Sequence, residues 1–369
     1  MRRHPPLAKG RGAAYNPPNR FEPLHVELPS EELAPYFEPP EFARQVSVQV
    51  YRDRSQEVLS ENRSPDVGFR YSLNPYRGCE HGCIYCYARP THEYWGFSSG
   101  LDFETRIVVK LDAPELLARA FRSASWRPQP VVLAPNTDAY QPLERRLGLT
   151  RRCLEVFLAF RNPVAIITKN ALILRDVDLL QELARLELVT VTISLTTLDP
   201  ELRRHLEPRT STAARRLEAI ARLRERGVPV GVNIAPVIPG LTDHEIPRLL
   251  QEAAQHGAQW AGYGLLRLPY AVKELFEDWL ARTYPDRSDR VLGRIRAVRE
   301  GKLNTSAFGY RMVGSGPYAT FIGRLFVVFA RRYGLDRPPP QLCTTRFRRV
   351  PEQEDLFEVL KGSDSPRWA

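Results

Sequence analysis

Lysine is scarce in this chain. Six of its 53 basic side chains are lysines and the rest are arginines, so each lysine stands out, Lys169 among them. No apolar run approaches the roughly 20 residues needed to cross a bilayer, and the start lacks the apolar stretch of a secretory signal, so a cytoplasmic location is expected. Cysteine is also sparse. There are five, an odd number, and three of them fall within eight residues, from Cys79 to Cys86. That excludes a disulfide framework and suits a reducing compartment. No second Cys-x2-Cys pair exists, which weighs against a structural zinc knuckle. Acidic groups are missing from the first 21 residues, which carry Arg2, Arg3, Lys9, Arg11 and Arg20.

What remains is ample for a large core: 369 residues, 43% of them hydrophobic, allow one domain of barrel size or two smaller ones. The net charge of +10 permits a phosphate-bearing partner. It does not demand one, because codon composition alone can produce so strong a bias toward arginine.

Residues 1–44 hold nine of the 32 prolines and cannot build a core. They read as an extended or disordered basic arm, with or without a partner. After a short alternating strand at Gln45–Val50, short apolar runs recur at Phe69–Leu73, Val131–Ala134, Val164–Ile167, Val189–Ile193, Val230–Ile234 and Trp260–Leu266. Helical patterns lie between the later ones: Ala113–Ser123, Thr150–Arg161, Asp176–Leu186, Thr212–Arg226 and Asp243–His256. Gly227 and Gly257 stand where left-handed caps are wanted, and Thr242-Asp-His-Glu245 fits a capping box. In the Thr150 helix Cys153, Leu154, Phe157 and Phe160 share a face, which makes Cys153 a core residue.

Strands alternating with helices imply parallel pairing through right-handed crossovers. The expected fold is α/β, an incomplete (β/α)6 TIM-type barrel over residues 45–270, with a helical C-terminal extension and tail over 271–369. In that tail, an acidic segment with Leu356-Phe357 reads as an anchor packing back, and Arg346, Arg348 and Arg349 as further positive charge. Chemistry in such folds sits beyond the C-terminal ends of the strands. There the chain places Asn136 to Gln141, Thr168-Lys169-Asn170, Ser194, Thr196-Thr197, Asn233 and Arg267. His205-Leu-Glu-Pro-Arg209 reads as an ordinary surface ion pair between Glu207 and Arg209.

The stretch Cys79-Glu-His-Gly-Cys83-Ile-Tyr-Cys86 carries the chemistry. Thiolates are soft ligands, and three at this spacing can wrap one inorganic centre. A four-iron cluster held by three cysteines keeps one iron open to a cofactor. Zinc is the rival, with His81 or His92 completing a Cys3His site.

The pattern Cys-x3-Cys-x2-Cys with Tyr85 before its last cysteine resembles the radical S-adenosylmethionine (SAM) superfamily. The longer run Asn74-Pro-Tyr-Arg-Gly-Cys-Glu-His-Gly-Cys-Ile-Tyr-Cys-Tyr-Ala-Arg-Pro90 resembles its branch related to spore photoproduct lyase, often labelled DNA repair photolyase-like, from about Ser64 to about Leu335. The resemblance implies a partial barrel, a [4Fe-4S] cluster on Cys79, Cys83 and Cys86, and reductive cleavage of SAM to a 5′-deoxyadenosyl radical that abstracts hydrogen from an unidentified substrate, nucleic acid among the candidates. It implies a reductant such as flavodoxin or ferredoxin. By the same resemblance Lys169 faces the SAM carboxylate, Ser194 takes the ribose, and Ile238 with Tyr85 lies at the adenine end; Asn233 in the fifth strand is a further cofactor-binding candidate. Thr137 and Asp138 occupy the region where relatives carry a Gly-Gly-Glu motif that is absent here. Tyr87 matches the tyrosine that assists hydrogen donation in the lyases, whereas Ala134–Asp138 lacks their donor cysteine. A zinc- or cluster-bearing nucleic-acid-binding protein without radical chemistry stays open as the alternative.

Overall fold

The computed structural model describes residues 10–21 and 47–350. The rest of the expected arm and the Leu356-Phe357 anchor lie outside the described residues. Among the described residues ten strands form two sheets: β1 (Gln49–Arg52), β2 (Leu59–Glu61), β3 (Tyr71–Leu73), β4 (Tyr76–Arg77), β5 (Arg106–Val109), β6 (Val131–Leu133), β7 (Val164–Thr168), β8 (Val189–Ser194), β9 (Val230–Val237) and β10 (Ala261–Leu265). In the larger sheet β3, β6, β7, β8, β9 and β10 lie side by side, each parallel to the next. β2 adds antiparallel to β3. Among the described residues β2 and β10 are not paired with each other, so the sheet stays open. Its central strands β6 and β8 are buried on both faces, as β-branched runs between helices should be.

Helices Ala113–Arg122, Leu149–Phe160, Val177–Arg185, Ala213–Glu225 and Ile246–Gln255 each precede a strand of this sheet and cover it. Leu116, Leu117 and Phe121 show the spacing that buries one helix face. Cys153 is fully buried in the same way, among Leu149, Leu154 and Phe157. Gly227 and Gly257 end their helices at φ +73° and +92°, with Val228 N–H returning to Leu223 O and Ala258 N–H to Ala253 O, both 3.0 Å.

The expected capping box at Thr242 is not formed. Thr242 Oγ1 accepts from Ile238 N–H at 2.9 Å, and the Glu245 carboxylate turns away to take Thr197 Oγ1–H and Leu198 N–H at 2.5 and 2.8 Å. Tertiary partners outcompeted the local pairing. A second sheet was not legible in the sequence: β4 and β5, both inside the long connection from β3 to β6, pair antiparallel, and β1 from ahead of β3 pairs parallel with β5.

Helices Val272–Thr283 and Pro285–Ala297 pack on each other and bury Phe276, Trp279 and Ile295 in one apolar cluster with Cys83, Tyr85 and Ile238. The second begins earlier than its apolar pattern suggests, because Pro285-Asp-Arg-Ser-Asp-Arg offers no apolar periodicity yet opens with a proline suited to a first turn. Helix Gly316–Arg332 lies beyond β10, with Tyr263 and Phe326 rings 4.6 Å apart. The free edge of β10 is covered: Ala261 N–H donates to Leu335 O and Leu265 N–H to Met312 O, both 2.9 Å.

Two arginines of the C-terminal segment are engaged by the ends of other elements. Arg348 Nε donates to Ala159 O at 2.7 Å, and Arg349 donates to Phe121 O at 2.9 Å and Trp126 O at 3.1 Å, so both guanidiniums satisfy helix C-terminal carbonyls. Cys343 sits nearby in the chain, its N–H on Glu187 O at 2.9 Å, just ahead of β8. These contacts are at the N-terminal ends of the strands. Among the described residues no helix is long and apolar enough to cross a membrane.

Candidate active site

The cysteine loop leaves β4 and returns toward the C-terminal ends of the parallel strands. Gly78 and Gly82 both take positive φ, +78° and +66°, and a Cβ on Gly82 would stand 2.6 Å from a Glu104 oxygen. Backbone bonds hold the loop from outside: Cys79 N–H to Phe103 O at 2.8 Å, Ile84 N–H to Leu206 O at 3.1 Å, and Arg209 N–H to His81 O at 3.2 Å. Fully buried Arg89 spans it, donating to Cys83 O at 3.0 Å, Gly100 O at 2.9 Å and Glu104 Oε1 at 2.5 Å.

Residues 10–21 do not hang free. Gly12 and Ala13 N–H donate to the two Glu104 oxygens at 3.0 and 2.8 Å, and a Cβ on Gly12 would lie 1.9 Å from Gly82 O. This part of the expected arm is a strap over the cysteine loop.

Cys79, Cys83 and Cys86 are all free thiols, two buried and one half-buried. Burial pushes each of them up, and each thiolate would repel its neighbours, so the three share one field. Such a set is costly as thiolates unless a cationic centre binds it. Zinc needs its ligands to converge on one point, whereas in a four-iron cluster each thiolate takes a different iron. Among the described residues no three His, Cys, Asp or Glu side chains are grouped to hold one ion. Neither histidine completes a Cys3His site. His81 Nε2 lies 3.2 Å from Asn170 Nδ2 and Nδ1 3.4 Å from Asp138, while His92 is packed between the Phe97 and Phe103 rings. Soft thiols on one loop, with neither histidine engaged beside them, fit a cluster in which each thiolate takes its own iron.

Lys169, directly after β7, contributes a positive charge in the field of Cys83 and Cys86. Its ammonium has no hydrogen-bond or ion-pair partner among the described residues. Asp138 accepts from Thr168 Oγ1 at 2.7 Å, Tyr140 N–H at 2.9 Å and Lys169 N–H at 2.8 Å, which ties the loop after β6 to the end of β7. Thr137 donates to Tyr76 O at 2.5 Å and is buried. Ser194 ends β8 opposite Asn233 of β9 in register. Ile238 is fully buried beside Tyr85. Tyr87 is 43% exposed; its hydroxyl donates to Pro135 O and its ring faces Arg267 at 5.3 Å.

The reading of Glu207 and Arg209 as a surface ion pair is overturned. Glu207 is fully buried and pairs with Arg216, which is equally buried; Arg209 instead pairs with Glu80 at 3.0 Å. Tyr85 O–H donates to the Glu207 carboxylate, as does Thr196 Oγ1–H at 2.7 Å, and Arg216 also donates to Ser194 O at 3.0 Å and Ser211 O at 2.9 Å. Burial alone would raise Glu207, but the Arg216 and Lys169 charges with those hydrogen bonds hold it at about 2. A signal for this was present: Arg216 occupies the apolar stripe it shares with Ile220 and Leu223, where a solvated arginine has no place.

The family model of the Radical SAM superfamily matches residues 73–253. An uncharacterized protein of Mycobacterium tuberculosis is 41% identical over 230 residues, 61% of this chain and 68% of that protein. The Radical SAM Nalpha-GlyT isomerase of Pseudomonas phage M6 is 23% identical over 293 residues, 79% of this chain and 59% of its own. Among solved structures, spore photoproduct lyase complexed with dinucleoside spore photoproduct superposes with a TM-score of 0.56 at 17% identity, covering 77% of this chain and 78% of the lyase. That likeness is one of fold.

Proposed function

Because the chain belongs to the radical SAM superfamily, with a [4Fe-4S] cluster and SAM as its cofactors, we propose that it is an enzyme that abstracts hydrogen from a nucleic-acid substrate. The observation that carries this is the three thiols on one loop, two buried and one half-buried, with the Lys169 ammonium, unpaired among the described residues, in their field. When bound, the two cofactors supply a one-electron cleavage of the SAM sulfonium, which is the hard chemistry; the protein binds, orients and excludes water.

In this reading Cys79, Cys83 and Cys86 hold the cluster. Lys169 neutralises the SAM carboxylate, which explains a lysine left without a protein partner. Ser194 and Asn233, side by side at the ends of β8 and β9, take the ribose, and Tyr85 with Ile238 backs the adenine. Thr137 and Asp138 support these groups from behind, since their polar atoms are engaged in cross-links. Tyr87, exposed and next to Cys86, faces the substrate. The six parallel strands are the six units of a partial barrel spanning residues 45–270, extended by 271–369. A flavodoxin or ferredoxin in the cytoplasm serves as reductant.

Support for nucleic acid as substrate comes from the fold shared with spore photoproduct lyase, whose solved complex holds a dinucleoside. The chain is proposed not to be that lyase. The donor cysteine of the lyases has no counterpart in Ala134–Asp138, Cys153 is fully buried, and Cys343 is at the opposite ends of the strands.

The test is anaerobic reconstitution followed by reduction and assay for 5′-deoxyadenosine. Its release supports the reading. Cluster-loaded protein that binds SAM yet releases none would leave a binding protein without radical chemistry, and efficient reversal of spore photoproduct in irradiated DNA would overturn the exclusion of lyase activity.

A further inference from the structure

Among the described residues two neighbouring arginines near the end of β10 lack an acidic partner. Arg299 is 1% exposed and donates to Leu266 O at 2.7 Å and Tyr310 O at 2.9 Å, yet its Nε is buried and unpartnered. Arg267, two residues past β10, also has a buried, unpartnered Nε, and its one hydrogen-bond acceptor among the described residues is Met312 Sδ at 3.7 Å, a weak one. The carboxylate in reach, Asp66, is taken by Arg311. Burial, followed by the Arg311 charge, lowers Arg267, and burial with Arg267 lowers Arg299 to about 10. Neighbouring guanidiniums removed from water without an anion are unfavourable, and an anionic ligand relieves that cost.

The place is as informative as the charge. Arg267 stands at the C-terminal end of β10, and the Tyr87 ring it faces is anchored through its hydroxyl to Pro135, just past β6. The pair therefore links the end of β10, at one edge of the parallel run, to the loop after β6, one strand in from the other edge, next to the cysteine loop. The arrangement recurs beside it: Arg311 lies over Phe308 at 4.7 Å, and that ring is 57% exposed. Exposed rings interleaved with guanidiniums suit a chain that offers phosphates and base faces in alternation, more than a peptide carboxylate.

We propose that Arg267, stacked on Tyr87, is the phosphate-binding residue of a nucleotide subsite at the substrate mouth, with the exposed Tyr87 ring receiving the face of a base. The assignment rests on the nucleic-acid reading above. Its planar fork matches two phosphate oxygens, which lysine cannot reproduce.

The test is anisotropy titration of a fluorescent single-stranded oligothymidylate with full-length, cluster-loaded protein at several salt concentrations. The proteins are wild type, Arg267→Gln, Arg267→Lys and, as a charge control, Arg222→Gln. Arg267→Gln is expected to weaken binding roughly 10-fold and to reduce the slope of log affinity against log salt by about one, with SAM affinity and melting temperature unchanged. Arg267→Lys should restore the slope and only part of the affinity, and Arg222→Gln should match wild type. Wild-type binding with the same affinity and slope in Arg267→Gln overturns the subsite while leaving the nucleic-acid reading standing. No wild-type binding even at low salt overturns that reading and the subsite with it. Loss of SAM affinity in Arg267→Gln, or binding of an acidic peptide in place of the oligonucleotide, also overturns the assignment.

Discussion

The Tyr85 hydroxyl donates to the Glu207 carboxylate across 122 residues of chain. The tyrosine between the second and third cysteines is thus tied to a buried ion pair, which Arg216 closes and extends to the end of β8. The relationship makes the cysteine loop and the end of that strand one mechanical unit.

Glu207→Gln is expected to destabilise the protein by about 3–5 kcal/mol, because it leaves Arg216 charged and buried without its counter-ion. Anaerobic urea unfolding measures this. Replacing both residues with apolar ones, Glu207→Leu with Arg216→Met, should recover much of the loss, and a change below about 1 kcal/mol for the single variant would contradict the buried pairing.

Anaerobically purified protein is expected to be brown, with about one four-iron cluster per chain. Replacing any one of Cys79, Cys83 or Cys86 with Ala should remove both the colour and SAM cleavage. Colourless wild-type protein with stoichiometric zinc would refute the ligand set.

Lys169→Ala and Ser194→Ala should each weaken SAM binding, on the order of 10-fold for loss of one charged or hydrogen-bonded contact, with iron content unchanged. Isothermal titration of reconstituted protein gives the affinity. Wild-type affinity in both variants would disprove the pocket.

His92 is buried between two phenylalanine rings, and burial lowers it to about 4, with Asp102 offsetting part of the effect. Between pH 6.5 and 4 the unfolded chain takes up a proton that the folded one refuses, so this contribution to stability is fully present above pH 6.5 and is lost as pH falls. The slope is about 1.4 kcal/mol per pH unit, roughly 3 kcal/mol over the window. His92→Phe should flatten the pH dependence of unfolding by that amount between pH 7 and 4. Parallel curves for wild type and variant would show that His92 does not titrate this way.

Thiol labelling of folded protein should modify Cys343, which is half-buried, and spare Cys153, which is fully buried. Cys343→Ala should retain SAM cleavage, since it lies at the opposite ends of the strands from the cysteine loop. Rapid labelling of Cys153 would show that its helix opens in the native state.

The sequence by itself determined the features whose cause is local. Three cysteines at fixed spacing must share one loop, and apolar runs alternating with amphipathic helices must pair in parallel, so the cysteine loop, the strand order's general kind and the lone lysine after β7 were all legible. Helix ends were readable where one residue decides them, as at Gly227 and Gly257. Thr242 shows the limit: a capping signal was present, but Glu245 gained more from Thr197 and Leu198 across the fold. Only the tertiary structure decided pairings between distant segments. Glu207 found Arg216 and Tyr85 where the chain suggested Arg209, Gly12 and Ala13 closed over Glu104, and Arg348 and Arg349 were drawn to helix ends at the far side. Each is a charge or backbone group removed from water that had to meet its partner, and burial, which selects the partner, is a property of the assembled fold.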